Sequence, residues 1–262
     1  MCNRELTIKI IVATHKAYAM PAGAMYLPLQ VGSAINAALP YAHDDAGINI
    51  SSRNRTYCEL TGLYWAWNNL EADAVGLCHY RRYFAGRAWG CRRARMVTEK
   101  QVRRILRTRD VILPRKRRYW IETNFSQYAH AHHREDLDTT RQILAESYPD
   151  YLPAYDAYMK KTGGHRFNML IMKRPILEAY CQWLFDVLFQ LEARLDISQY
   201  DAANRRVFGY VGERLLDVWI EKNNISYAEL PVVNMEPQHW LQKGCRFLAR
   251  KWRGMRMDKT GG

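Results

Sequence analysis

Residues 74–84 read AVGLCHYRRYF. An uninterrupted apolar run, Ala74 to Cys78, leads straight into His79, Tyr80, Arg81, Arg82 and Tyr83. Such an abrupt change is expected where a buried strand leaves the core and delivers polar side chains at its carboxyl end. Upstream, Thr7 to Thr14 is β-branched and apolar and predicts a first buried strand that also feeds a polar loop. Asn54 to Asn69 carries Tyr57, Leu60, Tyr64, Trp65 and Trp67 at helical spacing around Gly62 and predicts one helix packed on a sheet.

Downstream, Thr98 to Thr108 predicts a helix, and Asp110 to Leu113 the next strand, closed by Pro114. Residues 119–165 read as irregular or loosely helical, with Leu137 to Glu146 the best helix and Pro149 and Pro153 as breakers. Phe167 to Met172 reads as a strand, Pro175 to Leu195 as a strongly amphipathic helix, Gly212 to Lys222 as another helix and Ile225 to Val233 as a last strand. Strands alternating with helices imply the α/β class: one domain over residues 1–240 with a mainly parallel central sheet flanked by helices, then a basic amphipathic tail over 241–262. Ligands of such sheets bind beyond the carboxyl ends of the strands, so the candidate loops are Thr14 to Lys16, Asp44 to Asn54, His79 to Tyr83 and the stretch Gly163 to Asn168.

Composition narrows the function. A chain of 262 residues with 48% apolar and 12% aromatic side chains can fill a large core and still line a cleft. Its six cysteines are widely spaced, with no metal-type cluster, and read as reduced cytosolic thiols. The run Ile8 to Ala13 is too short for a signal-peptide core, and no apolar stretch reaches the roughly 20 residues a membrane span needs. The net charge of +13 is concentrated: thirteen basic residues against two acids between Arg87 and Arg118, and seven against one between Lys243 and Gly262. Such patches attract polyanions or are simply solvated. Residues 244–257, GCRFLARKWRGMRM, have the composition of a helix lying on an anionic membrane surface, or of a frayed basic terminus.

The densest constellation is His79 to Phe84, in which Arg81 and Arg82 can grip a diphosphate bidentately while His79, Tyr80 and Tyr83 add hydrogen bonds. Either arginine could instead pair with a buried acid such as Asp73. Neither G-x-x-x-x-G-K-[ST] nor G-x-G-x-x-G occurs, which excludes the common phosphate-loop and dinucleotide modes. No Asp-x-Asp pair stands near His79, so a divalent metal, magnesium or manganese, is not indicated, and cationic side chains can replace it. Asp44, Asp45, Asn49, Ser51 and Asn54 either read a donor's ribose and base or form an ordinary capped turn. His130, His132 and His133 lie near Glu135 and Asp136, but adjacent histidines diverge and no spaced ligands follow. Glu213 is expected to open a helix, where the dipole favours its ionised form as a general base; an exposed helix-start acid is the plainer reading. His165, Asn168, Met169 and Arg214 are expected on the acceptor side of the same cleft.

Six segments carry a family likeness: VATHK (12–16), NIS (49–51), YCELTGLYWAW (57–67), HYRRYF (79–84), NMLIM (168–172) and RVFGYVGERLL (206–216). They resemble a bacterial family long catalogued as a domain of unknown function, found in capsule, exopolysaccharide and O-antigen gene clusters and including galactofuranosyltransferases. The resemblance implies a GT-A-like fold, a nucleoside-diphosphate sugar donor, a glycan or lipid-linked glycan acceptor and inversion at the anomeric carbon. It puts Thr14, His15 and Lys16 beside the donor nucleotide, His79 to Tyr83 where related folds carry their metal motif, and Glu213 as the base. The Arg-rich stretch 87–95 and the basic tail are not part of the family pattern; the expectation for the chain is a cytoplasmic protein, with the tail in peripheral contact with the inner membrane face and no specific nucleic acid as partner. The competing expectation is a nucleic-acid-binding protein using the basic stretch 87–118 with Trp89, Tyr119 and Trp120.

Overall fold

The computed structural model describes residues 5–118 and 121–236. In chain order the strands and helices begin with β1 (Ile8–Thr14), β2 (Tyr26–Gln30), β3 (Ala42–His43), α1 (Asn54–Tyr57), α2 (Leu60–Asn69), β4 (Ala74–His79) and β5 (Arg82–Phe84). Then come α3 (Glu99–Leu106), β6 (Val111–Pro114), β7 (Arg117–Arg118), α4 (Asn124–Ala131), α5 (Arg134–Ser147), α6 (Leu152–Lys160) and β8 (Gly163–Gly164). The described chain closes with β9 (Leu170–Lys173), α7 (Arg174–Arg194), α8 (Val207–Lys222), β10 (Tyr227–Leu230) and β11 (Val232–Asn234). The basic tail 241–262 lies outside the described residues.

The sheet runs β10-β6-β9-β4-β1-β2-β3, with β5 and β11 added antiparallel beside β4. Strands β1, β2, β3 and β4 are mutually parallel, as are β6 and β10, so the α/β class with a mainly parallel sheet holds. Strand β9 alone in the main path is reversed, antiparallel to both β4 and β6. Its entry, residues 167–168, therefore meets the carboxyl ends of β1 and β4 at one edge of the sheet.

Alternate side chains bury two faces, as the two-residue period of a strand requires. Ile11, Val75, Leu77, Val111, Leu113, Leu170 and Met172 pack under α2, α7 and α8. Ile10, Val12, Cys78, Ile112 and Ile171 face α3 through Val102 and Leu106. Gly76 lets β4 sit tightly between its neighbours, since a Cβ there would lie 2.9 Å from Ile171 Cγ1 and 3.0 Å from Ile10 Cγ1.

Five expectations change. The helix read over Asn54 to Asn69 is broken at Cys58, whose φ is 54°. Asn54 Nδ2 donates to the Cys58 carbonyl at 2.7 Å and to Thr61 Oγ1 at 3.1 Å, holding the chain out of helical register. Residues 124–160 are well helical: Thr123 caps α4 by accepting from Ser126, and Pro149 and Pro153 sit in first turns, where a missing N–H is harmless. The strand read from Phe167 starts only at Leu170, because Phe167 and Asn168 both have positive φ, 77° and 52°. Helix α8 starts at Val207, so Glu213 stands well inside it and the dipole argument does not apply. Finally, Ile225 to Val233 divides at Pro231 into β10, paired with β6, and β11, paired with β5.

Candidate active site

A cleft of about 700 Å³ opens at the carboxyl ends of β1 and β4, walled by the α1–α2 break, the entry to β9 and the first turns of α8. That volume suits a small-molecule ligand. Arg55, Arg81, Arg82, Arg205 and Arg206 line it against two carboxylates, Glu59 and Glu213. Five guanidinium groups facing two acids give the cleft an excess of positive charge, and a planar guanidinium fork can match phosphate oxygens.

The left-handed pair Phe167–Asn168 organises the floor. The Arg82 guanidinium lies 4.5 Å over the Phe167 ring. His79 donates Nε2–H to the Phe167 carbonyl at 2.6 Å, since a carbonyl only accepts. The Phe167 N–H donates to Glu213. Asn168 donates its amide to Glu59 at 2.8 Å and to the Gly209 carbonyl at 3.0 Å. Positive φ in three non-glycine residues lining the cleft, Cys58 included, is the kind of strain that clusters at functional sites.

Charge at the rim is arranged around Tyr80. Arg81 and Lys16 lie 5.5 and 5.2 Å from its ring centre, and both reach Glu236, at 3.4 and 4.0 Å. Partial burial, then the neighbouring charges of Lys16, Arg81 and Arg206, hold His15 below the usual histidine range. Burial pushes the Cys58 thiol up to about 11, with Glu59 adding to the shift, so it stays protonated while accepting from Arg206 Nε at 3.1 Å.

Of the residues expected from sequence, His15, Asn54, His79, Tyr80, Arg81, Arg82, Asn168 and Glu213 line the cleft together. The others do not. Asp44 is fully buried, and its carboxylate accepts from the Gly32 and Ser33 N–H groups at 3.0 Å each, from Thr61 at 2.6 Å and from Ser51. It ties the Gly32 turn to α2 and has no face for a ligand. Ser51 is consumed in the same cluster, while Asn49 closes the loop on the Asp45 and Gly47 carbonyls and Asp45 lies beside His43. Thr14 turns its hydroxyl onto the Lys16 carbonyl at 2.6 Å, and Lys16 stands at the rim.

Tyr83 is buried in the core below, donating to the Tyr80 carbonyl at 3.1 Å, because β5 turns it to the α3 side of the sheet. Met169 follows Asn168 and so points to that same opposite face. His165 is buried between Asp217, at Nδ1, and Glu229, 3.1 Å from Nε2. Arg214 is rotated about 100° from Glu213 on α8 and is buried over Tyr128, donating to Gln127 and the Tyr210 carbonyl. Of the four residues expected on the acceptor side, Asn168 lines the cleft and His165, Met169 and Arg214 do not.

Sequence reading missed Arg55, Glu59, Arg205, Arg206 and Tyr210, all of which line the cleft. The pair Arg205–Arg206 ahead of an apolar helix was the available signal. Glu59 lay within the 57–67 likeness segment, but inside an apparently continuous helix.

The histidines near α5 diverge: His130 meets Glu122, His132 stacks on Tyr210 and His133 on Tyr200. Among the described residues no three His, Cys, Asp or Glu side chains converge on one point. At the end of β4 the groups presented are an imidazole and two guanidiniums, a donor set that does not fit a divalent cation.

A mainly parallel α/β sheet with one reversed strand and an arginine-lined cleft at its strand ends has the architecture of a GT-A-like glycosyltransferase domain. The chain belongs to the family described as "Domain of unknown function (DUF4422)", which it matches over residues 9–224. The apo structure of the bifunctional glycosyltransferase WbbM matches 88% of this chain with a TM-score of 0.80 at 29% sequence identity. The matched part is 46% of that protein, so this chain spans under half of its length. No curated protein matches the chain. Among the described residues no helix is long and apolar enough to cross a membrane.

Proposed function

We propose that this chain is a glycosyltransferase that moves a sugar, galactofuranose or another hexose, from a nucleoside-diphosphate donor to a hydroxyl of a glycan or lipid-linked glycan, with inversion. The observation that carries the reading is the cleft itself: five arginines at the strand ends beside two carboxylates, in a fold shared with a glycosyltransferase. Arg81 and Arg82 hold the diphosphate, with Arg55, Arg205 and Arg206 on the facing wall. As the acceptor hydroxyl attacks the anomeric carbon, its proton passes to a cleft carboxylate, Glu213 on the sequence reading. The bond from the anomeric carbon to the phosphate oxygen breaks, and its electron pair leaves on the diphosphate, whose growing charge the guanidiniums stabilise. No step is routed through a metal.

The acceptor's setting in this proposal is the inner face of a bacterial membrane, during assembly of a capsule, exopolysaccharide or O-antigen. One further feature supports it. Trp89 is 89% exposed at the tip of a basic loop that carries Arg87, Arg92 and Arg93, and Arg92 donates to the Met235 carbonyl, next to the Glu236 that Arg81 and Lys16 share. An exposed indole among cations that form no ion pair among the described residues suits an anionic lipid surface beside the cleft mouth.

The test is nucleotide release. Purified protein with candidate nucleotide sugars and an acceptor glycan liberates nucleoside diphosphate, and Arg81→Ala or Glu213→Ala lowers the rate. Full turnover in Arg81→Ala removes the diphosphate assignment. No release with any donor, together with no thermal stabilisation by UDP, GDP or dTDP, removes the transferase reading.

A further inference from the structure

The two carboxylates of the cleft are held very differently. Glu213 accepts the Phe167 N–H with one oxygen, and its other oxygen lies 3.7 Å from Arg166 Nε and 3.9 Å from Arg214 Nη1. Both of those arginines are buried, at 4% and 3% exposure. One oxygen of Glu213 is thus committed to a backbone N–H, and the other faces two buried guanidiniums that belong to the fold. These contacts make Glu213 the side chain that ties the left-handed Phe167 turn to α8.

Glu59 is the reverse case. Among the described residues it forms no ion pair, and one oxygen accepts from Asn168 Nδ2 at 2.8 Å while the other has no partner. Asn168 is itself 4% exposed and its amide is also tied to the Gly209 carbonyl, so the carboxylate it aims is held in one orientation. The chain departs from helix at Cys58, φ 54°, immediately before Glu59, and Asn168 has φ 52°. Left-handed backbone at non-glycine residues persists only where surrounding structure enforces it. Here Asn54 enforces the first departure, and the Glu59 and Gly209 contacts enforce the second.

We infer that Glu59 is the catalytic base, that Asn168 is the residue positioning it, and that Glu213 holds the Phe167 turn instead of taking the proton. This rests on the transferase reading above and assigns the proton within it. The acceptor O–H bond breaks with its proton going to the free Glu59 oxygen, the acceptor oxygen bonds to the anomeric carbon, and the diphosphate leaves with the electron pair of the broken bond. The diphosphate stays on the arginines and the proton on Glu59 until products depart, which balances charge and atoms.

The test compares wild type with Glu59→Gln and Glu213→Gln by nucleotide release across pH, with thermal stabilisation by UDP, GDP and dTDP as the binding readout. Glutamine keeps the size of Glu59 and an oxygen to accept from Asn168, so the fold and nucleotide binding persist. Expected for Glu59→Gln is a fall in kcat of about 10²- to 10⁴-fold, unchanged donor KM and loss of the acidic limb of kcat/KM. Expected for Glu213→Gln is a lower melting temperature and a raised donor KM, with the acidic limb still present. Asn168→Ala tracks Glu59→Gln in kcat, with the limb shifted instead of abolished. Turnover of Glu59→Gln within tenfold of wild type, or loss of the limb in Glu213→Gln, overturns the assignment while leaving the transferase reading intact. A wild type that releases no nucleotide from any donor overturns both.

Discussion

The guanidinium of Arg82 rests 4.5 Å above the ring of Phe167, a residue held at φ 77° by bonds at both its N–H and its carbonyl. The stack fixes which way the arginine fork points, and it couples the end of β4 to the entry of β9. Burial and then the adjacent Arg81 lower the Arg82 pKa from its ordinary value, yet guanidinium stays charged at any working pH.

Arg82→Ala is therefore expected to weaken nucleoside-diphosphate binding by roughly 10- to 100-fold, from the ~1.5–3 kcal/mol typical of a hydrogen bond to a charged group. Arg82→Lys recovers less than half of that free energy, because ammonium neither forks onto two phosphate oxygens nor stacks on Phe167. Calorimetric titration with the stabilising nucleotide checks both, and a lysine variant binding as tightly as wild type would refute the forked contact.

Asp44 gives the opposite pattern. Its buried carboxylate satisfies two backbone N–H groups and two hydroxyls, so Asp44→Ala is expected to cost about 3–5 kcal/mol of stability. Urea denaturation measures the loss. The fraction still folded should bind nucleotide with unchanged affinity, and a selective loss of binding at normal stability would return Asp44 to the ligand site.

Gly76 tests the sheet packing. Gly76→Ala brings a methyl against Ile171, Ile10 and the Leu170 carbonyl, all at 2.9–3.1 Å, in the middle of three paired strands. Overpacking of this kind destabilises by about 1–3 kcal/mol. A variant melting at the wild-type temperature would mean that β1, β4 and β9 are less tightly apposed than described.

The pH dependence of stability follows from His15. Its pKa is lowered on folding by burial and by Lys16, Arg81 and Arg206. As pH falls below about 6.5 the unfolded chain takes up the proton first, so stability declines through the window between that value and the lower folded one. His15→Asn is expected to flatten this decline in thermal melts at stepped pH. His132 is also held low, chiefly by burial, and leaves a residual slope in the variant. An unchanged slope would mean that the exposed His15 ring does not feel Lys16, Arg81 and Arg206.

How much of this could be read from the chain alone differs between fold and site. Periodicity found β1, β4, β6 and α7 because burial of alternate residues, or of every third and fourth, leaves its mark within a few positions. It also found the polar side chains His79 to Arg82 at a strand end, and these do line the cleft. Periodicity is blind to direction, however, so nothing local revealed that β9 runs against its neighbours and brings Phe167 and Asn168 to the same edge. Nor does a run of helical residues disclose a break at Cys58 that is enforced by one side-chain amide.

The alternation of apolar strands and amphipathic helices thus determined the α/β class, and the polar run after β4 determined that cationic side chains would stand at a strand end. Which acids and arginines share the cleft with them was decided only in three dimensions. Asn168 meets Glu59 across 109 positions, and the chain bends at Cys58 to let it. Tyr83, the residue after Arg82 on β5, was lost to the core, and Arg206 was gained from the start of α8. The physical reason is that local patterning reports only whether a side chain is buried or exposed, whereas a catalytic arrangement depends on direction, and direction comes from contacts between segments far apart in the chain.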